Sequence, residues 1–263
     1  MCLIVFAWRM RADLPLVVAA NRDEWRKRPT ARLHHWGHEP ATPDHADSAE
    51  RQRDSRSLPP GGVLAGRDLQ DGGTWMGVAA GGRFAALTNV RDPARNRPGV
   101  PSRGALVREF LEGGMSASEY SQRVHAQGAA YNGFNLLAGD GESLWWTSNH
   151  APAPKALGTG VYGLSNSLLD TPWPKVVRAR ERLNAALQAP QMQKTALWAL
   201  LADDAQAPDE ALPETGVGLE WERRLSAAFI HGAEYGTRSS TIVLQDAAGH
   251  FSICERLAGG GAA

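Results

Sequence analysis

The sharpest chemistry in the sequence belongs to Cys2. If Met1 is removed, which a small second residue permits, a thiol and a free α-amine share one residue. An α-amine titrates near ~7.7–8.0, so part of it is neutral at pH 7 and can take the thiol proton. Nucleophile and base then come together, and a nearby cation would raise the thiolate fraction. Asn21-Arg22-Asp23-Glu24 follows directly on the apolar run 16–20. If runs 3–8 and 16–20 pair as a hairpin across the polar stretch 9–13, the far end of the second strand lies beside the start of the first. These four residues then sit beside Cys2, with Arg22 placed to stabilise a thiolate and Asp23 to hold the α-amine. The bland alternatives are an ordinary strand cysteine and a charged surface turn.

Three further polar clusters end or open strands: Thr88-Asn89-Val90-Arg91, Leu164-Ser165-Asn166 and Gly236-Thr237-Arg238-Ser239-Ser240. An Asn at a strand end can donate its amide to a developing oxyanion. Loss of one such donor from a working site costs roughly 3 kcal/mol. Each cluster alone also reads as turn residues.

The elements that must position these groups alternate in pairs. Hairpins are predicted at 3–8 with 16–20, at 74–79 with 84–89 across Gly81-Gly82, at 134–138 with 143–147 across Gly139-Asp140-Gly141, and at 237–245 with 250–255. A short strand falls at 161–164. Helices are predicted at 102–111, after the Ser116-Ala117-Ser118-Glu119 capping box, from Pro174 onward, at 195–201 and at 220–229. Paired strands and separately paired helices argue for antiparallel sheets with helices outside, not for a doubly wound parallel sheet. The segment 37–62 is polar and proline-rich and reads as a loop insertion.

The chain has 263 residues, with 28 Lys+Arg against 28 Asp+Glu and two cysteines. That length holds a full core in one domain. Balanced charge removes the usual motive for a nucleic-acid or anionic-membrane partner, and two cysteines make no disulfide framework. No run is long enough to span a bilayer, and the expectation is a cytoplasmic protein without a transmembrane segment.

The ordered blocks Met1-Cys2, Asn21-Arg22-Asp23-Glu24, Gly66-Arg67-Asp68 with Gly72-Gly73-Thr74-Trp75-Met76-Gly77, Leu87-Thr88-Asn89-Val90-Arg91, Ser102-Arg103-Gly104, Tyr131-Asn132-Gly133-Phe134-Asn135-Leu136, Tyr162-Gly163-Leu164-Ser165-Asn166 with Pro172-Trp173-Pro174-Lys175, and Tyr235-Gly236-Thr237-Arg238-Ser239 together resemble the NRDE family. It is also called the transport and Golgi organisation protein family. The blocks cover nearly the whole chain, and the resemblance implies one domain over 1–263. It implies a four-layer αββα sandwich of two antiparallel sheets, similar to the N-terminal-nucleophile hydrolases, in the α+β class. The implied catalytic set is Cys2, Arg22 and Asp23, with Asn89 or Asn166 and then Arg238. The motif blocks also offer Asn21, Glu24, Trp75 and Asn135 for substrate binding. The family is associated with haem trafficking and with acyl-CoA or lipid metabolism, and no required cofactor is implied.

Two readings result. One is an N-terminal-nucleophile hydrolase of an amide or related acyl bond. The other is a non-catalytic carrier or chaperone of a small hydrophobic ligand, haem or an acyl chain. The stretch 66–77 is glycine-rich but lacks the Gly-Lys-Ser/Thr ending of a phosphate loop and precedes a strand. His34, His35, His38 and His45 cluster in sequence, yet without cysteine partners they read as a solvated loop, and no metal site is assigned. The tryptophans Trp145, Trp146 and Trp173 read as packing groups, with an aromatic pocket for a flat ligand as the alternative. Cys254, outside every block, is expected to be a packed thiol.

Overall fold

A computed structural model describes residues 2–37 and 50–258. Thirteen strands and five α-helices are seen among them. In chain order the strands are β1 (Cys2–Trp8), β2 (Leu16–Trp25), β3 (Thr30–His35), β4 (Arg51–Asp54), β5 (Val63–Asp68), β6 (Met76–Ala79), β7 (Arg83–Asn89), β8 (Phe134–Gly139), β9 (Leu144–Ser148), β10 (Lys155–Ala156), β11 (Gly160–Leu164), β12 (Tyr235–Gln245) and β13 (Phe251–Leu257). The helices are α1 (Gly104–Glu112), α2 (Ala117–Ala126), α3 (Pro174–Leu187), α4 (Lys194–Leu201) and α5 (Leu219–Leu225).

The strands form two antiparallel sheets, one in the order β11-β1-β2-β12-β13-β4 and the other β10-β9-β8-β7-β6-β5-β3. Side-chain alternation explains their stacking. Ile4, Phe6 and Trp8 of β1 and Leu16, Val18 and Ala20 of β2 face the second sheet, packing against Leu64, Met76, Phe84 and Leu137. Leu3, Val5, Ala7, Val17 and Ala19 point the other way, onto Val176 and Leu183 of α3 and Leu197 of α4. The outer face of the second sheet buries Ala65, Ala85 and Leu136 under Leu106 and Phe110 of α1 and Tyr120 of α2. A sheet apolar on both faces needs cover on both, and the result is the four-layer αββα sandwich expected from the sequence.

Local signals set the helix ends. Pro174 opens α3, and Ser116 caps α2 in a box, accepting from Glu119 N at 3.2 Å while its own N–H donates to Glu119 Oε2 at 3.1 Å. The last helix is shorter than the sequence expectation of 220–229. It stops at Leu225, and Phe229 N–H instead donates to Asp203 O at 2.8 Å beyond α4.

Two strand boundaries differ in ways that matter. β2 does not end at residue 20: it runs to Trp25, because β12 pairs along it as far as Trp25 opposite Tyr235. The Asn21-to-Glu24 tetrapeptide is therefore central strand, not a turn. The segment 37–62 is not all loop either, since β4 pairs with the edge of β13, Gln52 opposite Cys254. Charged side chains blunt that edge, and polarity there had hidden the strand. Its stretch 38–49 lies outside the described residues. β3 and β5 escaped the sequence reading, because Arg32, His34, His35, Gly66 and Arg67 break any apolar alternation.

Candidate active site

The hairpin register sets Cys2 directly opposite Arg22, and Thr237 of β12 opposite Asp23. Even-numbered positions of β1 and β2 face the second sheet, so Cys2, Arg22 and Glu24 share the inter-sheet face where the sandwich opens. Asp23 lies on the opposite face of the same strand, beneath the helices. On the inter-sheet side of this strand end opens a cavity of about 260 Å³, whose lining includes Cys2, Arg22, Glu24, Trp75 and Asn89, together with Asp23 where its strand reaches the rim.

Hydrogen bonds hold the backbone of the nucleophile candidate and the carboxylate beside it. Ser165, just past β11, donates its hydroxyl to the Cys2 carbonyl at 2.9 Å. Thr237 Oγ1 accepts from Ile230 N at 2.9 Å, which directs its own proton to Asp23 Oδ1 at 2.7 Å. Arg22 Nη1 donates to Thr30 Oγ1 at 3.2 Å.

The electrostatics are those of buried charge. Burial pushes the Cys2 thiol up; the Asp23 carboxylate adds to that and the Arg22 guanidinium opposes it. Burial also raises Asp23 above the usual carboxylate range, opposed by the Lys175 ammonium and the Thr237 hydrogen bond. Tyr235, behind the pair, is raised by burial and by the charges of Asp23 and Cys2.

Six of the ten candidate residues thus line one cleft: Cys2, Arg22, Asp23, Glu24, Trp75 and Asn89. Asn166 stands one step behind, donating Nδ2 to the Asn89 carbonyl at 2.9 Å. Of the two candidates for an oxyanion donor, Asn89 is the one at the cavity wall.

Three candidates are structural ties instead. Asn21 projects to the helical side of β2, where Nδ2 donates to Leu201 O at 2.8 Å and Ala228 O at 2.7 Å, while Oδ1 accepts from Ser240 Oγ at 2.6 Å. Asn135 joins three elements, donating to Thr88 Oγ1 at 3.1 Å and Ser167 O at 2.9 Å and accepting from Trp146 Nε1 at 3.1 Å. Arg238 sits at a bulge in β12, with Nη1 2.8, 3.1 and 3.0 Å from the carbonyls of Trp25, Arg26 and Arg28. Their motif membership reflects folding of the strand ends, not contact with the cleft.

His34 and His35 belong to β3, with His34 Nδ1 donating to Arg32 O at 2.7 Å, whereas His38 and His45 fall outside the described residues. Among the described residues no group of three or more His, Cys, Asp or Glu is arranged to hold a metal ion. Nor is any helix among them long and apolar enough to cross a membrane.

Lys175, which closes the Pro-Trp-Pro-Lys run, is a buried charge that the sequence reading did not single out. It is fully buried in the first turn of α3, and burial pushes its ammonium down to about 8, against the attraction of Asp23. The available signal was a lysine at a helix start, where the backbone dipole disfavours a cation.

Fold and site together describe an αββα sandwich with a strand-end cysteine at the floor of a polar cleft. The sequence profile of the family Transport and Golgi organisation 2 matches residues 1–259, and the chain belongs to that family. It is 36% identical to a Bos taurus protein named Transport and Golgi organization protein 2 homolog, over 97% of this chain and 92% of the relative. It is 34% identical to the Homo sapiens homolog over the same shares. Among solved structures, a Caenorhabditis elegans N-acylethanolamine-hydrolyzing acid amidase ortholog is similar over 92% of each chain, with a TM-score of 0.47 and 11% identity.

Proposed function

We propose that the cleft is an acyl-transfer site in which Cys2 attacks the carbonyl carbon of an amide or related acyl bond. The carrying observation is the register that sets Cys2 opposite Arg22, with Asp23 next in line, at the floor of a polar cavity. With residue 1 removed, the Cys2 α-amine takes the thiol proton and the thiolate adds to the carbonyl. Asn89 Nδ2 is the wall group suited to the oxyanion. Collapse of the adduct expels the amine, which leaves with the proton from the α-ammonium, and water then cleaves the thioester to release the acid. Arg22 favours the thiolate; Asp23 favours the protonated amine. Intact mass tests the reading: turning-over protein must lack Met1, and an electrophilic thiol probe must label residue 2. Active protein that retains Met1 would overturn it.

A second reading is favoured by the other groups of the wall. Arg22, Arg97 and Arg103 hydrogen-bond to uncharged oxygens, and Arg67 lies over the Trp36 ring, 4.9 Å from its centroid. Such a set suits the anionic end of a carried ligand, the phosphates of an acyl-CoA or the propionates of haem, more than a wholly apolar one. The cavity is small beside the usual range of roughly 300–1,000 Å³, so only one end of such a molecule would enter. Saturable acyl-CoA or haem binding that survives Cys2→Ala supports carriage; no saturation with either removes it.

A further inference from the structure

A row of buried hydrogen bonds crosses the sandwich and ends on the Cys2 backbone. Trp146 Nε1 of β9 donates to Asn135 Oδ1 of β8 at 3.1 Å, and Asn135 Nδ2 donates to Thr88 Oγ1 of β7 at 3.1 Å. Thr88 Oγ1 in turn gives its one proton to Ser165 O at 2.5 Å. Ser165 Oγ donates to Cys2 O at 2.9 Å; Asn166 Oδ1 beside it is farther, at 3.3 Å. Trp146, Asn135, Thr88 and Ser165 are all buried, so water does not compete for these bonds and each step fixes the direction of the next.

Strand register explains why the last bond matters. The pairing of β1 with β11 ends at Ile4 opposite Leu164, so Cys2 lies past the end of that neighbour. Ser165, the first residue after β11, supplies from its side chain a bond to the Cys2 backbone beyond the last strand pair. Without Met1, Cys2 has no preceding peptide bond to hold it. It then rests on β2 on one side and on this hydroxyl on the other. The next residue reaches the facing wall: Asn166 donates Nδ2 to Asn89 O at 2.9 Å and its carbonyl accepts from Arg91 N at 2.7 Å. Residues 165 and 166 therefore join the Cys2 backbone to the end of β7, where Asn89 lines the cavity.

We infer that Ser165 is a positioning residue of the Cys2 site, held in direction by Thr88 and Asn135 behind it. Its hydroxyl fixes the Cys2 carbonyl, and with it the direction from which the side chain enters the cavity, in register with Asn89. The consequence for rate rests on the acyl-transfer reading, in which thiolate and oxyanion donor must meet one carbonyl group.

The test uses a carbon-13 label at cysteine Cβ. The chain has two cysteines and so gives two methylene signals, which Cys2→Ala assigns. Wild type should show one narrow Cys2 signal. Ser165→Ala should broaden or split it and leave the Cys254 signal unchanged. Thr88→Val, which keeps the shape and loses the hydroxyl, should do the same to a smaller extent, and Thr88→Ser should restore the narrow signal. In turnover of an acyl substrate, Ser165→Ala should lower kcat about 10- to 100-fold with KM within about twofold. The spectrum needs no substrate, so absence of hydrolysis in every protein removes the acyl-transfer reading and still decides the positioning. Should Ser165→Ala not fold, Thr88→Val against Thr88→Ser decides by the same criterion. A Cys2 signal that stays narrow when the hydroxyl is removed, or that Thr88→Ser broadens as much as Thr88→Val, would overturn the assignment. So would a Ser165→Ala protein that loses only unfolding free energy, with kcat intact.

Discussion

The molecule contains two cysteines, and their surroundings differ more than their burial. Both are buried strand residues of one sheet, both thiols are pushed up by burial, and in each a nearby side-chain cation opposes that rise, Arg22 at Cys2 and Lys194 at Cys254. Cys254 lies within β13 on the helical face, packed with α4, with Lys194 Nζ 3.4 Å from its sulfur. Cys2 starts its strand on the opposite face, where the sheets part and a cavity reaches it. Burial and a cation are therefore common to both regions. What distinguishes Cys2 is a strand end, where β1, β2, β5, β7 and β12 bring polar groups to one opening. The two thiols thus differ in position along their strands and in the opening that reaches Cys2.

The largest effect expected from that contrast is on turnover. Cys2→Ala should lower hydrolysis of an acyl or amide substrate at least about 10³-fold, and Cys254→Ser should leave it unchanged. Equal losses in both variants would erase the distinction.

Next comes stability against pH. The Lys175 ammonium titrates at about 8 in the folded chain against its ordinary 10.5, so between those values the unfolded chain binds the extra proton. Stability from this group therefore rises with pH across that window, by about 3 kcal/mol. The Cys2 thiol, raised by burial, contributes in the opposite sense above pH 9.0. Urea unfolding of Cys2→Ala against the double variant Cys2→Ala/Lys175→Met isolates the lysine: the rise should be present in the first and absent in the second.

Asn21→Leu sharpens the boundary between site and scaffold. Leu201 O, Ala228 O and Ser240 Oγ each lose a bond, and unfolding free energy should fall by about 2 kcal/mol, with Cys2 alkylation of the folded protein unaltered. A slowed alkylation would return Asn21 to the site. The smallest effect is at the other thiol. Lys194→Met removes the cation that opposes burial at Cys254 and should slow its labelling by disulfide reagents about two- to threefold, with stability within about 0.5 kcal/mol.

The sequence disclosed what repeats and what clusters. Strands with regular apolar alternation, such as β1 and β7, were legible, and so were Pro174 and the Ser116 capping box. β3 was not, because it mixes Arg32 and His34 with Ala31 and Leu33, and only pairing with β5 makes it a strand. The site was half legible for a similar reason. Cys2, Arg22 and Asp23 follow from one hairpin, whose register is local. Asn21 and Asn135 carry the same side-chain chemistry as Asn89, and only the face on which each projects separates a tie from a cavity wall. Lys175 belongs to an element over 150 positions along the chain from Asp23, and no spacing rule links them.

The extension of β2 to Trp25 has a consequence for motion. Arg22 and Asp23 lie on a strand hydrogen-bonded on both sides, to β1 and to β12, and walled by side chains above and below. Their amides belong to the most protected class, exchanging with deuterium only when the whole sheet opens. The groups that flank Cys2 thus ride on the stiffest part of the chain, and their arrangement should persist on warming until cooperative unfolding removes geometry and fold in one step.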